Sequence, residues 1–151
     1  MHHLPRRTAI LLLAAALAGC GGGRRPERER PPAGAGEVNR LITKYARHYD
    51  VPEALVHRVV KRESSYNPAA RNGPYYGLMQ ILPETARTMG YRGAPGGLLD
   101  ADTNLKYGVK YLRGAWLLSN GSHDRAIMWY SKGYYYEAKR RGMLRETGLR
   151  A

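Results

Sequence analysis

The sequence predicts a mainly α-helical single domain that follows an export signal and a polar tether. Apolar residues recur at helical spacing in several segments, and residues typical of caps and turns separate those segments. A length of 151 residues allows one domain together with a leader. The formal net charge of +13 favours an anionic partner or surface.

The first twenty residues have the pattern of a bacterial export signal. Arg6 and Arg7 form a basic start, an apolar core runs from Ile10 to Leu17, and small residues precede Cys20. The core is too short to span a bilayer as a mature helix. Because the residues ending at Cys20 resemble a lipoprotein box, we expect a signal peptide over residues 1–19 and a lipid anchor on Cys20.

Lipidation explains Cys20 better than an incidental thiol does. The chain contains 1 cysteine, which cannot form an internal disulfide. Gly21 follows it, and in such signals this implies the periplasmic face of the outer membrane of a Gram-negative cell. The pair Arg6-Arg7 leaves a twin-arginine export route open.

Residues 20–36 predict a flexible linker. The segment is rich in Gly, Pro, Arg and Glu and has almost no apolar side chains, so it cannot pack a core. Its alternating charges and the pair Pro31-Pro32 favour a semi-extended spacer, which either contacts anionic lipid headgroups or remains solvated. We expect the folded domain over residues 37–145 and a short tail over 146–151.

Two helices are predicted at the start of the domain. The first begins near Glu37 and has one apolar stripe, formed by Val38, Leu41, Ile42, Tyr45 and Tyr49. The segment Asp50 to Glu53 resembles a capping box with proline in the first turn. We therefore expect the second helix to begin there and to run to Glu63.

Glu63 is the candidate acid. Val59 and Val60 belong to the apolar face of the second helix, and Glu63 lies four and three positions after them. A carboxylate there is partly desolvated, so we expect a raised pKa and a protonated group near neutral pH that can donate a proton to a leaving oxygen. The position alone leaves equally open that Glu63 closes the helix and reaches water.

Turns and short helices follow. Asn67 and Pro68 are typical of a turn, and residues 72–76 and 91–97 read as loops. Pro83 and Glu84 open a short helix that ends at Gly90.

Two further helices and a basic tail complete the domain. Asp100 or Asp102 caps a long helix with a core stripe formed by Leu105, Val109, Leu112 and Trp116, and Ser122 can cap the next helix. The three consecutive tyrosines at 134–136 would point in three directions on a helix, so at least one is exposed. They either extend a sugar-binding groove or cover the core.

Several segments together resemble the soluble lytic transglycosylase family. The match covers roughly Val38 to Gly133 and is carried, in order, by Glu63-Ser64, Asn67-Pro68, Gly77 to Ile81, Leu99-Asp100, Asn104, Gly108 and Trp129-Tyr130. The resemblance implies a goose-lysozyme-like catalytic domain with a groove. It also implies that the residues contacting the glycan are Ser64, Asn72, Tyr76, Met79, Gln80 and Tyr130.

The resemblance further implies a reaction with one acid. Glu63 protonates the oxygen between N-acetylmuramic acid and N-acetylglucosamine, then takes a proton from the C6 hydroxyl, which closes a 1,6-anhydro ring without water. Most glycosidases use two carboxylates, whereas the motif here provides one. A lysozyme-like hydrolase of the same bond is the nearest alternative, and a non-catalytic wall-binding lipoprotein is another.

The sequence departs from the family pattern at two places. The loop at 72–76 is slightly short and holds Asn72, Gly73 and Pro74 where a serine and small residues are usual. Ser131 stands where the closing motif usually has asparagine, which has a different set of donors.

No cofactor or metal is expected. His48, His57 and His123 lack a ligand pattern such as HExxH. The expected partners are peptidoglycan glycan strands and the membrane that holds the lipid anchor. Acidic peptidoglycan stems or anionic lipid explain the charge better than nucleic acid, because the basic residues are scattered over many helices. No motif identifies a cell-envelope assembly partner.

Overall fold

The structure is a computed structural model that describes residues 34–150, and it is mainly α-helical as predicted. The expected signal peptide, Cys20 and the linker up to residue 33 lie outside the described residues. The helices are α1 (Ala35–His48), α2 (Glu53–Ser64), α3 (Pro83–Thr88), α4 (Ala101–Leu117), α5 (His123–Lys132) and α6 (Tyr135–Arg140). A 3₁₀ helix (Pro95–Leu99) and two strands, β1 (Arg71–Asn72) and β2 (Tyr75–Tyr76), complete the described elements.

Helix α4 is the centre of the fold. It contacts α1, α3, α5 and the 3₁₀ helix. Its stripe residues Leu105, Val109 and Leu112 are fully buried, and they join a core that also includes the apolar faces of α1 and α2. Trp116 was expected in the same stripe, but it is only partly buried at the edge of that core. The burial of these stripes is the main source of stability.

The predicted capping box between α1 and α2 is wrong. Pro52 occupies the N-cap of α2 and no side chain caps this helix. Asp50 has a φ of 52°, in the left-handed region, because it reverses the chain after α1. The Glu53 carboxylate accepts a hydrogen bond from Thr43 Oγ1 at 2.7 Å, so it links α2 to α1 and does not serve its own helix end.

The start of α4 resolves the alternative between two aspartates. Asp100 caps the helix, since its side chain accepts a hydrogen bond from the Thr103 backbone N–H at 2.8 Å. Asp102 accepts hydrogen bonds from Lys44 Nζ at 2.7 Å and from Tyr45 Oη at 2.9 Å. These two hydrogen bonds connect the start of α4 to α1.

The tyrosines at 134–136 diverge as predicted. Tyr134 is buried, whereas Tyr135 and Tyr136 are 48% and 83% exposed. The Tyr134 ring lies against α4 at Gly114, where a Cβ atom would overlap it. Its hydroxyl donates to the Tyr111 carbonyl at 2.8 Å. Tyr134 therefore packs over the core, and its two neighbours do not.

The segment after α6 returns to the domain. Thr147 is 2% exposed, and Arg113 of α4 donates to the Glu146 carbonyl at 2.7 Å. Residues 146–150, where we expected a tail, thus pack against the fold. No helix within residues 34–150 combines the length and apolar content needed to cross a bilayer.

A buried amide fixes the backbone between β2 and α3. Asn104 is fully buried, and its Nδ2 donates to the carbonyls of Tyr76 at 2.8 Å and Leu98 at 2.7 Å. Its Oδ1 accepts from the Met79 N–H at 2.9 Å. Gly77 passes beside this amide with a φ of 71°, and a Cβ there would overlap the Asn104 side chain. One side chain therefore satisfies three backbone groups that water does not reach.

We expect Asn104→Ala to lower the free energy of unfolding by roughly 3 kcal/mol, because three buried hydrogen bonds are lost and the Met79 N–H and the Leu98 carbonyl no longer have the amide as partner. Urea unfolding followed by circular dichroism measures the change. Asn39→Ala, on the exposed face of α1, is the matched control and should alter stability by less than about 0.5 kcal/mol. Equal stability of the Asn104 variant and the wild type would contradict the role given to the amide.

Candidate active site

A cleft of ≈ 360 Å³ opens beside the C-terminal end of α2, and we call it the acid cleft. Helix α2, the β1–β2 hairpin, the segment before α3 and helix α5 provide its walls. Its lining residues are Arg62, Glu63, Asn72, Tyr75, Gln80, Tyr130 and Ser131.

Glu63 lies in the last turn of α2, after the buried residues Val59 and Val60. Its side chain is 23% exposed, and its Oε1 lies 3.6 Å from Arg62 Nε. Burial raises the pKa of Glu63 above its ordinary value, while the Arg62 charge opposes this increase. The direction agrees with the prediction from the apolar stripe. A raised pKa keeps a larger fraction of the carboxyl group protonated near neutral pH.

The chain leaves α2 through a tight turn. Ser65, the C-cap, has a φ of 49°, in the left-handed region. Asn67 Oδ1 accepts a hydrogen bond from the backbone N–H of Ala69 at 3.0 Å, so the predicted turn at Asn67 is confirmed. Ser64 Oγ donates to the Val60 carbonyl at 3.1 Å. Ser64, which we expected to contact substrate, thus bonds to its own helix and does not line the acid cleft.

The predicted loop at 72–76 contains a two-residue antiparallel hairpin, in which Asn72 pairs with Tyr75 and Arg71 pairs with Tyr76. Successive side chains of a strand point to opposite faces. Tyr75 is 42% exposed and lines the acid cleft, whereas Tyr76 is 8% exposed and belongs to a second core cluster. Tyr75 therefore lines the acid cleft, and Tyr76, which we expected to contact substrate, does not. Asn72, which we expected to contact the glycan, also lines the acid cleft.

The wall opposite Glu63 depends on Tyr130 of α5. Its hydroxyl donates to the Met79 carbonyl at 2.7 Å, and burial, together with the nearby Glu63 charge, raises the pKa of Tyr130 well above its ordinary value. Met79 is fully buried, so it supplies backbone and not the side-chain contact expected of it. Gln80 lines the cleft, and its Nε2 donates to two backbone carbonyls at 3.1 Å and 2.9 Å.

The acid cleft adjoins a second one of ≈ 330 Å³, which we call the middle cleft. The two clefts share the lining residues Tyr75, Gln80, Tyr130 and Ser131. Ser131, where the family usually has asparagine, donates its hydroxyl to the Ile127 carbonyl at 2.9 Å. Together the two clefts form the groove that the family resemblance implies.

Two residues that line the acid cleft, Arg62 and Tyr75, were not among the expected substrate contacts. Arg62 directly precedes Glu63 on the helix, and this adjacency was the available signal. Tyr75 has no comparable signal, because only the hairpin register decides which of two adjacent tyrosines faces the cleft.

The acids near Glu63 in sequence have other roles. Glu84 lies in the first turn of α3, 3.7 Å from Arg87 Nη1. Asp100 caps α4, and Asp102 bonds to Lys44 and Tyr45 of α1. Within the part of the chain that the structure describes, the acid cleft is lined by one carboxylate, that of Glu63. The same residues contain no group of three or more His, Cys, Asp or Glu arranged to hold a metal ion.

Comparisons with known sequences find a match over most of the helical domain. Residues 40–143 match the family model described as the transglycosylase SLT domain. The soluble lytic murein transglycosylase of Salmonella typhimurium is 36% identical over 83 residues, and the membrane-bound lytic murein transglycosylase C of Haemophilus influenzae is 40% identical over 88 residues. The matches cover 50% and 53% of this chain but only 13% and 24% of those relatives.

Two solved structures of the 70 kDa soluble lytic transglycosylase are similar in fold to this chain. The 70 kDa soluble lytic transglycosylase of Escherichia coli matches with a TM-score of 0.60 and 26% identity, over 72% of this chain and 18% of that one. A complex of the 70-kDa soluble lytic transglycosylase with bulgecin A matches equally well. These similarities confirm the mainly helical, lysozyme-like fold.

We expect Arg62→Gln to raise the pKa of Glu63 further, because the substitution removes the charge that opposes the effect of burial. A carbon NMR titration of the Glu63 carboxyl group would measure the change. Lys61→Gln removes a charge from the exposed side of the same helix and serves as the matched control. If the pKa of Glu63 is the same in both variants and in the wild type, the Arg62 charge does not affect the pKa of Glu63.

Proposed function

Because this chain belongs to the transglycosylase SLT domain family, we propose that it is a lytic transglycosylase that cleaves peptidoglycan glycan strands. The bond is the β-1,4 linkage between N-acetylmuramic acid and N-acetylglucosamine. The observation that carries the proposal is the position of Glu63, whose half-buried carboxyl group lines the acid cleft. The relatives named lytic murein transglycosylases support the same reaction.

Glu63 first acts as an acid. In its protonated form it donates its proton to the glycosidic oxygen, so the sugar on that side leaves as an alcohol. Positive charge develops at C1 of the muramic acid residue, where the N-acetyl group of the substrate stabilises it. The raised pKa of Glu63 supports this step, because it favours the protonated form in which the group can act.

Glu63 then acts as a base. Its carboxylate takes the proton of the C6 hydroxyl, whose oxygen forms the new bond to C1 and closes the 1,6-anhydro ring. The carboxyl group regains the proton that it lost, and no water is consumed. The nucleophile belongs to the sugar itself, so it is already held near C1. This explains how one carboxylate can suffice where most glycosidases use two.

The groove supplies the glycan contacts. We assign direct contacts to Asn72, Tyr75 and Gln80, which line the acid cleft. The Tyr75 ring is exposed enough to stack on a sugar face. Tyr130 has a positioning role, because its hydroxyl is already bonded to the Met79 carbonyl.

We place the protein in the cell envelope, where its substrate lies. The relative described as membrane-bound supports this location. A lipid on Cys20 would anchor the chain to the periplasmic face of the outer membrane, after removal of the signal peptide at 1–19. The linker at 20–36 would separate that anchor from the catalytic domain at 37–145.

Incubation of the full chain with purified peptidoglycan should release muropeptides that end in 1,6-anhydro-N-acetylmuramic acid, detected by mass spectrometry. We expect Glu63→Gln to lower the rate by about 10³-fold or more, because the amide cannot donate or accept the proton. Glu84→Gln is the control, since it removes an exposed acid outside the cleft.

The chemical form of the sugar at the end of each product distinguishes a lytic transglycosylase from a hydrolase. Reducing ends would show a hydrolase of the same bond. Binding of peptidoglycan without any product would show a non-catalytic wall-binding protein. Full activity of the Glu63→Gln variant would remove Glu63 from the reaction.

A further inference from the structure

A third cleft, of ≈ 490 Å³, lies where α5 meets α6, and we call it the tyrosine cleft. Its lining includes Trp129, Tyr134, Tyr135, Tyr136, Arg140 and Leu149. It shares Tyr111, Lys132 and Gly133 with the middle cleft. The tyrosine cleft therefore adjoins the groove, at the end away from Glu63.

Two tyrosines in this cleft do not serve the core. Tyr135 and Tyr136 are 48% and 83% exposed, and their rings meet edge to face with centroids 5.4 Å apart. Tyr134 beneath them is buried and provides a fixed base. Exposed apolar surface that is grouped in a concave site is typical of a binding surface.

The lining of the tyrosine cleft contains two cationic residues, Lys132 and Arg140, and one carboxylate, Glu137, so its formal net charge is positive. Arg140, whose side chain is 69% exposed, donates two hydrogen bonds to the Glu137 carboxylate at 2.9 Å and 2.7 Å. Arg141 donates to the same carboxylate at 2.6 Å. Two guanidinium groups thus surround one carboxylate, and the exposed Lys132 adds a further positive charge beside the middle cleft.

We propose that the tyrosine cleft binds the acidic stem peptide that branches from the glycan strand held in the groove. This inference rests on the proposed function, because it requires the strand to lie in the adjoining groove. A stem peptide carries free carboxylates together with alanine methyl groups. The cationic residues suit the carboxylates and the tyrosine faces suit the methyl groups, whereas a neutral sugar would use only the aromatic surface.

Direct binding tests this site without cleavage. The probe is the free peptide L-alanyl-D-glutamyl-diaminopimelyl-D-alanine, titrated into the full chain by calorimetry. We expect Arg140→Gln and Tyr136→Ala each to raise Kd by about threefold to fivefold. Lys139→Gln removes a charge from the same helix outside the cleft and should leave Kd unchanged. Equal Kd values for the wild type and both cleft variants would overturn the proposal.

Cleavage provides a second measurement. The rate on intact strands is divided by the rate on strands from which an amidase has removed the stem peptides. We expect this ratio to be lower for both cleft variants than for the wild type. An equal loss on both substrates would show that the cleft binds sugar, which also overturns the proposal.

The two proposals fail in different ways. If the wild type binds the free peptide in this cleft but releases no products, the cleft assignment stands and the enzymatic proposal fails. If 1,6-anhydro products form but neither the peptide affinity nor the rate ratio responds to the variants, the cleft assignment fails and the enzymatic proposal stands.

Discussion

The buried amide of Asn104 sets the position of the backbone on which the groove depends. It joins the end of β2, the segment before α3 and the 3₁₀ helix through three hydrogen bonds. Met79 is held from α4 by this amide and offers its carbonyl to Tyr130 on α5. The wall opposite Glu63 is therefore connected to the central helix by a short chain of hydrogen bonds. Because these groups are buried, each bond is costly to lose.

The sequence was sufficient where the structure follows from local periodicity. The stripes of α2 and α4 predicted the core because the 3.6-residue repeat fixes which side chains share a face. The same argument placed Glu63 beside Val59 and Val60 and gave the direction of its pKa change. The family resemblance extended this to the groove, and Asn72 and Gln80 do line the acid cleft.

The sequence was insufficient where one backbone angle or one register step decides the outcome. Tyr75 and Tyr76 are chemically identical neighbours, and a hairpin shifted by one residue would exchange their faces. Asp50 has a side chain that suits a helix cap, yet its backbone adopts the left-handed conformation that ends the preceding helix. The burial of Tyr134 depends on the missing side chain of Gly114, twenty residues earlier in the chain. Local patterns contain none of this information.

The exposure of Arg62 has a consequence for the ionic conditions around the protein. Its side chain is 54% exposed, so dissolved ions can screen its effect on Glu63, whereas they cannot restore the solvation that Glu63 has lost by burial. Added salt therefore weakens only the influence that favours the carboxylate. The acidity of Glu63 should decrease as ionic strength rises. The surrounding electrolyte thus acts on the same proton equilibrium as the pH.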